Sequence, residues 1–172
     1  MQFHLMTLLE ISHFNKNGDL LFRKNNIKNI LHAEGEEYIL NCLFGGVSVV
    51  QTYYVGLDNR DALSVSNSFS SLSNFETSGV GYFRQAVTNN SFQISTNSIG
   101  NQQANSPIVQ FQCTGNSWTA KNIFLATAPR PPEIFSGPKK LISSVPLGTT
   151  LIVSSGEVVS MRIGLSLKTS AD

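Results

Sequence analysis

Residues 159–168 read Val-Ser-Met-Arg-Ile-Gly-Leu-Ser-Leu-Lys, and apolar side chains alternate there with polar or small ones. Successive side chains of a β-strand point to opposite faces, so this pattern predicts a strand with one buried and one solvent-exposed face. A register shift of one residue would exchange the two faces, and the strand is therefore strongly specified. It is the clearest pattern in the chain and favours an antiparallel β fold.

Shorter β patterns precede this strand. Residues 121–126 are mostly apolar, as expected for a central strand that is covered on both faces. Many short strands separated by polar turns favour a mainly β domain, an antiparallel β-sandwich or a jelly-roll-like fold. The other predicted strands are residues 51–57, 81–87, 107–114, 141–145 and 150–154.

One short helix is predicted near the N-terminus, at residues 29–44. Gly35 weakens this helix by about 1 kcal/mol relative to alanine, so packing must hold it. Gly45 and Gly46 end it, because glycine tolerates the left-handed conformation that follows many helices. Glutamates 34, 36 and 37 are expected on its solvent-exposed side. The apolar positions recur at a spacing near 3.6 residues and comprise Ile27, Ile30, Leu31, Tyr38, Ile39, Cys42 and Leu43.

A β-hairpin is predicted ahead of the helix, because Asn17-Gly18 separates two β-prone runs. The sequence allows two interpretations of it. In the first, residues 1–24 are an N-terminal β-hairpin arm and residues 25–172 are the sandwich domain. In the second, the hairpin supplies the first two strands of the core.

Two connecting segments are predicted to make contacts. Residues 58–79 form a long Ser- and Asn-rich loop, and a loop of this length is usually functional or disordered. Its scattered apolar residues suggest that part of it docks on another surface; they are Leu63, Val65, Phe69, Leu72 and Phe75. Residues 128–138 contain four prolines, which stiffen the segment and lower the entropy lost on contact.

The composition argues against several classes of partner. Charged residues make up 13% of the 172 residues, the net charge is +1, and the best basic clusters are the pairs Arg23-Lys24 and Lys139-Lys140. Nucleic-acid binding normally needs denser basic clusters, so no nucleic-acid partner is expected. No apolar run is long enough for a transmembrane helix, and the N-terminal stretch is a poor signal peptide. Synthesis in the cytoplasm without membrane association is the expectation. The two cysteines, Cys42 and Cys113, are expected to be buried free thiols.

No catalytic, cofactor-binding or metal-binding residue is predicted, and the chain is not expected to be an enzyme or to take a small-molecule substrate. The histidines His4, His13 and His32 have no metal-ligand spacing, although His13 and His32 could meet in space. Clustered glutamates on one helix do not supply the two facing carboxylates of a glycosidase. An aromatic set could form a sugar-stacking platform, but core packing is favoured. It comprises Tyr53, Tyr54, Tyr82, Phe83 and Trp118.

Glu76 and Arg84 are a further candidate pair. Arg84 lies in a predicted half-buried strand, and Glu76 precedes it by a few residues. A partly buried ion pair between them would fix the long loop against the sheet. An exposed arginine that contributes little to stability is the alternative.

Several segments occur in the same order as similar segments in one protein family. They are Asn29-Ile30-Leu31-His32-Ala33-Glu34-Gly35-Glu36, Tyr53-Tyr54-Val55-Gly56-Leu57, Glu76 leading to Gly81-Tyr82-Phe83-Arg84-Gln85, and a stretch from Phe111 to Trp118 before Phe124-Leu125-Ala126. From about residue 25 to its end, the chain resembles small virion proteins of tailed bacteriophages, the decoration, cement or tail-fibre-like proteins. The hairpin and a longer Ser-rich insertion before Glu76 depart from the short members.

The resemblance implies a β-sandwich without enzyme activity that assembles on the phage particle. Capsid decoration is the leading expectation, as a homotrimer that binds the major capsid protein on the outer surface of the virion. A neck, tail or fibre-attachment component is the first alternative. A carbohydrate-binding module for host attachment is the second.

Overall fold

The computed structural model describes residues 7–96 and 102–166, which form a mainly β fold of two antiparallel sheets and one α-helix. The six-stranded sheet contains β1 (Thr7–Phe14), β2 (Leu20–Lys28), β6 (Gln93–Thr96), β7 (Gln102–Asn105), β8 (Val109–Gln112) and β11 (Val158–Ser166). The five-stranded sheet contains β3 (Ile30–Leu31), β4 (Thr52–Asp58), β5 (Gln85–Thr88), β9 (Trp118–Ala126) and β10 (Leu141–Val153). The helix α1 is Ala33–Phe44.

Strand β11 is central to the six-stranded sheet, whose order is β2-β1-β11-β7-β6, with β8 also paired to β11. Val159, Met161 and Ile163 are at most 2% exposed, whereas Arg162 faces solvent. The alternation predicted for this strand is therefore confirmed from Val159 to Ile163. Gly164 is buried and Leu165 is half-buried, and residues 167 and 168 lie outside the described residues.

The five-stranded sheet has the order β3-β10-β9-β4-β5, so β9 lies in the middle, as its apolar sequence predicted. The two strands predicted at residues 141–145 and 150–154 are one strand, β10, with a register irregularity between Pro146 and Leu151. The strand predicted at residues 81–87 is reduced to β5. Strands β3, β6 and β7 were not predicted, since each is two to four residues long and carries no clear alternation.

The hydrophobic core lies between the two sheets. Both sheets contribute fully or almost fully buried side chains, in the alternating positions that a two-layer β fold requires. The six-stranded sheet contributes Ile11, Val109, Phe111, Val159, Met161 and Ile163, and the five-stranded sheet contributes Val55, Leu57, Val87, Ile123, Leu125, Val145, Leu151 and Val153. A β-sandwich-like class is thus present, and the jelly-roll detail stays a prediction.

The hairpin belongs to the six-stranded sheet, as in the second interpretation. Strand β1 pairs with β2 on one side and with β11 on the other, and Ile11 is completely buried. Strand β2 continues to Lys28, beyond the predicted boundary at residue 24. The turn forms at the predicted place, where Gly18 has φ +87° and the Asn15 side chain accepts backbone hydrogen bonds.

Helix α1 begins at Ala33, later than predicted, because Ile30 and Leu31 pair with β10. Gly35 has a packing role, since a Cβ atom there would lie 2.2 Å from the carbonyl oxygen of Ile142. The helix can therefore approach β10 closely. Leu43 was expected on the buried side, but it is 64% exposed. No helix in the described residues is long and apolar enough to cross a membrane.

Candidate functional site: two loops joined by Arg84

Arg84 forms a buried ion pair with Glu76, as predicted. Its Nε and Nη2 atoms donate to the two carboxylate oxygens of Glu76, each at 2.9 Å. The side chains are 2% and 3% exposed. Two parallel hydrogen bonds between a guanidinium and a carboxylate are the strong form of this interaction. Arg84 itself lies just before β5 rather than within a strand.

The same arginine also holds the Pro-rich segment. Its Nη1 atom donates to the carbonyl oxygens of Ala128 and Pro129, at 2.8 and 2.9 Å. Its guanidinium lies between the rings of Phe69 and Phe124, 4.9 and 5.2 Å from their centroids. Arg84 thus connects the two segments that were predicted to make contacts. This connection was not predicted, because the two carbonyls are more than forty positions away in the chain.

The first segment, called here the serine loop (residues 59–78), docks on its own protein. A 3₁₀ helix, Phe69–Asn74, places Leu72 against Phe124 and Leu141 on the outer face of the five-stranded sheet. Leu72 is fully buried, so it is not available to a partner, contrary to the expectation for the loop's apolar residues. Val65 and Phe75 remain exposed.

Glu34 strengthens this docking. Its Oε2 atom accepts the backbone N–H groups of Phe69 and Leu141, at 2.8 and 2.9 Å. The expectation that Glu34 lies on the solvent-exposed side of α1 was therefore wrong. Glu34 connects the helix, the serine loop and β10. The helical period could not predict this, because both hydrogen bonds that Glu34 accepts come from backbone N–H groups, which every residue except proline has.

The second segment, called here the proline loop (residues 127–140), projects from the other side of Arg84. Thr127 closes its base, since its backbone N–H donates to the Lys140 carbonyl and its hydroxyl accepts the Lys140 N–H. Ile134 at the tip is fully exposed. The loop is thus anchored at its base and presents an apolar side chain to solvent.

A cleft of about 280 Å³ lies between the two loops. Arg130 lines it and is about one third exposed; its Nε atom is 3.7 Å from Glu76, and its guanidinium is 5.5 Å from the ring centroid of Tyr82. On the other side, the serine loop lines the cleft with Phe69, Ser70 and Ser73. The Tyr82 hydroxyl donates to Glu76, and burial together with the Glu76 charge raises the pKa of Tyr82 well above its usual value.

A second buried polar cluster was missed by the sequence reasoning. Asp58 accepts hydrogen bonds from Arg60 Nε and Nη2, at 3.0 and 2.5 Å, and from Asn122 Nδ2 at 2.7 Å. All three residues are at most 3% exposed. Asn122 also donates to the Arg60 carbonyl oxygen, so the network fixes the start of the serine loop to β9. Charged residues two positions apart at the end of a predicted strand were its only sequence signal.

Ser144 and His32 form a pair that has the geometry of a nucleophile and its base. His32 Nδ1 donates to the Ser64 carbonyl oxygen, so the neutral ring accepts the Ser144 hydroxyl at Nε2, 2.8 Å away. Burial lowers the pKa of His32 to about 4. Both side chains are completely buried, so a substrate cannot reach the hydroxyl in this conformation. The pair holds the serine loop against β10.

The other residues weighed from the sequence have structural positions. His13 contacts Glu157 at 2.9 Å and does not meet His32; His4 lies outside the described residues. Among the described residues no group of side chains suits a metal ion. Cys113 is a buried free thiol, whereas Cys42 is free but only partly buried.

The aromatic set does not form a sugar-binding surface around Tyr82 or Trp118. These two residues are 6% and 3% exposed and pack edge to face, with ring centroids 6.1 Å apart. Core packing of both was therefore predicted correctly. Phe83, next to Arg84, is 61% exposed.

Comparison with known proteins gives no relative. No family model, no curated protein and no solved structure matches the chain.

Proposed function

We propose that the protein is a non-enzymatic structural protein of a tailed bacteriophage, which decorates the capsid and binds the major capsid protein through the serine and proline loops. The observation that carries the binding role is the position of Arg84. Arg84 binds Glu76 of the serine loop and two carbonyls of the proline loop. The positions of the two loops relative to each other are therefore fixed before any partner binds. A surface that is ordered before contact loses less entropy on binding.

Exposed apolar side chains on the two loops, and on the residue next to Arg84, support contact with a protein. Phe75, Phe83 and Ile134 are 43%, 61% and 102% exposed. Exposed large apolar groups close to fixed polar groups are typical of protein-binding surfaces. The assignment to a phage particle is supported by the sequence resemblance alone, and so are its place on the virion surface and its synthesis in the bacterial cytoplasm.

Binding of labelled protein to purified capsids tests this proposal. Ile134→Ser should weaken binding, because it removes the most exposed apolar group of the proline loop. Ile152→Ser is the matched control, since Ile152 is also largely exposed, at 62%, but lies on β10. Wild-type protein that ignores capsids, or equal loss from both variants, contradicts the proposal. If whole phage particles replace the capsids, label confined to the neck or tail supports the alternative site.

We also propose that the protein forms a homotrimer. Helix α1 exposes Leu40, Leu43 and Phe44 on one face, at 49%, 64% and 84%, and carries two exposed acidic residues, Glu36 and Glu37, and no basic one. Strand β2 exposes Leu20 and Leu21 and carries three basic residues and no acidic one. Apolar surfaces flanked by opposite charges in one chain suit a head-to-tail ring of identical copies.

The mass in solution, measured by light scattering, tests the ring. Wild-type protein should have the mass of three chains of 18.8 kDa. Leu43→Glu should lower this mass, because it places a charge in the apolar contact. Ile94→Glu is the control, since Ile94 is 69% exposed on β6, away from both surfaces. A monomeric wild type, or a Leu43→Glu variant with unchanged mass, contradicts the trimer.

A further inference from the structure

The charges in the cleft between the serine and proline loops do not balance. Two arginines, Arg84 and Arg130, share the single carboxylate of Glu76. Arg84 takes both carboxylate oxygens of Glu76 at 2.9 Å and directs its remaining nitrogen to two backbone carbonyls. Glu76 is thereby neutralised by Arg84. Arg130 is left as the surplus positive charge.

Arg130 is placed to meet a ligand. Its contact with Glu76 is long, at 3.7 Å, and about one third of its side chain is exposed, compared with 2% for Arg84. Its guanidinium lies on the Tyr82 ring, 5.5 Å from the centroid, which limits its orientations. It lines a cleft in which Phe69 and Pro131 supply apolar walls and Ser70 and Ser73 supply hydroxyl groups. Two other carboxylates, those of Glu34 and Glu133, belong to residues that do not line the cleft, and Glu34 binds backbone N–H groups.

We infer that this cleft binds a carboxylate side chain, a glutamate or aspartate, of the protein partner. The planar fork of a guanidinium matches a carboxylate. A ligand charge of −1 balances the surplus charge. The apolar walls suit the methylene groups of a glutamate. A volume of about 280 Å³ accepts one side chain and is below the usual size of a cofactor or drug-like ligand site. The inference rests on the proposed function in one respect, that the ligand belongs to a protein.

Nuclear magnetic resonance titration of the whole protein tests this inference. The probes are a blocked tripeptide with a central glutamate, the same peptide with glutamine, and inorganic phosphate. The glutamate peptide should shift the Nε–H signal of Arg130 and the backbone signals of Ser70 and Ser73. The glutamine peptide should bind at least about tenfold more weakly, because it lacks the charge that strengthens the hydrogen bonds to arginine.

Two variants separate the cleft from general surface attraction. Arg130→Gln should abolish the preference for glutamate over glutamine. Arg162→Gln is the control, since Arg162 faces solvent on β11, in the sheet opposite the cleft's support; it should leave the preference unchanged. Equal binding of the two peptides, an unchanged preference in Arg130→Gln, or tighter binding of phosphate than of the glutamate peptide overturns the inference.

The outcomes also distinguish this inference from the proposed function. If wild-type protein binds capsids but shows no preference for the glutamate peptide, the cleft assignment fails and the decoration role stands. If the preference depends on Arg130 but no capsid is bound, the decoration role fails and the carboxylate site stands.

Discussion

Removal of Arg84 should destabilise the protein far more than removal of an exposed arginine whose ion pair has a similar N–O distance. Arg84→Met deletes four hydrogen bonds, two to Glu76 and one each to the carbonyls of Ala128 and Pro129. It leaves the Glu76 carboxylate 3% exposed, with the Tyr82 hydroxyl as its hydrogen-bond donor and the partly exposed Arg130 as a distant cation, 3.7 Å away. Loss of one partner from a buried ion pair costs about 3–5 kcal/mol, because the other charge stays buried.

Glu76→Gln should cost about 3 kcal/mol for the reciprocal reason, since the Arg84 charge keeps two carbonyls and two aromatic rings but loses its carboxylate. The double variant removes both charges together. Its cost should therefore be smaller than the sum of the single costs by about 2 kcal/mol, within the range that is usual for residues in one network.

Arg23→Met is the matched control. Arg23 Nη2 lies 2.8 Å from Glu10, close to the 2.9 Å of the Arg84 pair, but the two side chains are 52% and 44% exposed. Solvent screens such a pair, so the variant should cost less than about 1 kcal/mol. The two ion pairs have nearly the same N–O distance, and they differ in burial and in the number of hydrogen bonds that the arginine makes.

Urea unfolding followed by the fluorescence of Trp118 measures these free energies of unfolding, and the slope with urea checks that each variant unfolds in the same way. If Arg84→Met is too unstable to measure at room temperature, its free energy of unfolding can be measured at low temperature. The change caused by Arg84→Met can also be measured in a protein that already carries Glu76→Gln. Additive single costs, or an Arg84→Met cost as small as that of Arg23→Met, would refute the assignment of Arg84 as the connection between the loops.

Two further outcomes follow from buried contacts. His32 keeps a pKa of about 4 in the folded protein, against 6.5 when unfolded, so the unfolded chain takes up the proton first as pH falls from 6.5 to 4. The free energy of unfolding should fall by about 3 kcal/mol over that window, and the fall should be absent in His32→Asn when both are unfolded in urea at each pH. Gly35→Ala should destabilise the fold despite a gain of about 1 kcal/mol in helix propensity, because its Cβ would lie 2.2 Å from the backbone oxygen of Ile142; a higher melting temperature of this variant would contradict the close approach of α1 to β10.

Local patterns in the sequence determined the elements whose partners are local or whose faces differ sharply. The alternation that begins at Val159 identified β11, and its faces are as predicted from Val159 to Ile163. Asn17-Gly18 located the first turn, and Gly45-Gly46 located the helix end, where Gly46 has φ +72°. These features follow from backbone conformation and from the period of the side chains, both of which depend on neighbouring residues.

The position of the helix start and the role of the hairpin needed the tertiary structure. Ile30 and Leu31 fit a helical period, but pairing with β10 satisfies their backbone groups instead. The hairpin could have been an arm until β1 was seen to complete one side of β11. The pairing of strands depends on the packing of the whole chain, and it cannot be predicted from the periodicity of side chains within one segment.

The candidate site divides in the same way. The Glu76–Arg84 pair was predictable because its members are eight residues apart and differ in charge within an apolar context. The contacts of Arg84 with Ala128 and Pro129, and the cleft lined by Arg130, were not. Backbone carbonyls are the same in every residue type, so a sequence cannot indicate which of them accepts a distant hydrogen bond. The sequence therefore determined the β fold and one ion pair, and tertiary structure alone decided that this pair joins two loops around a positively charged cleft.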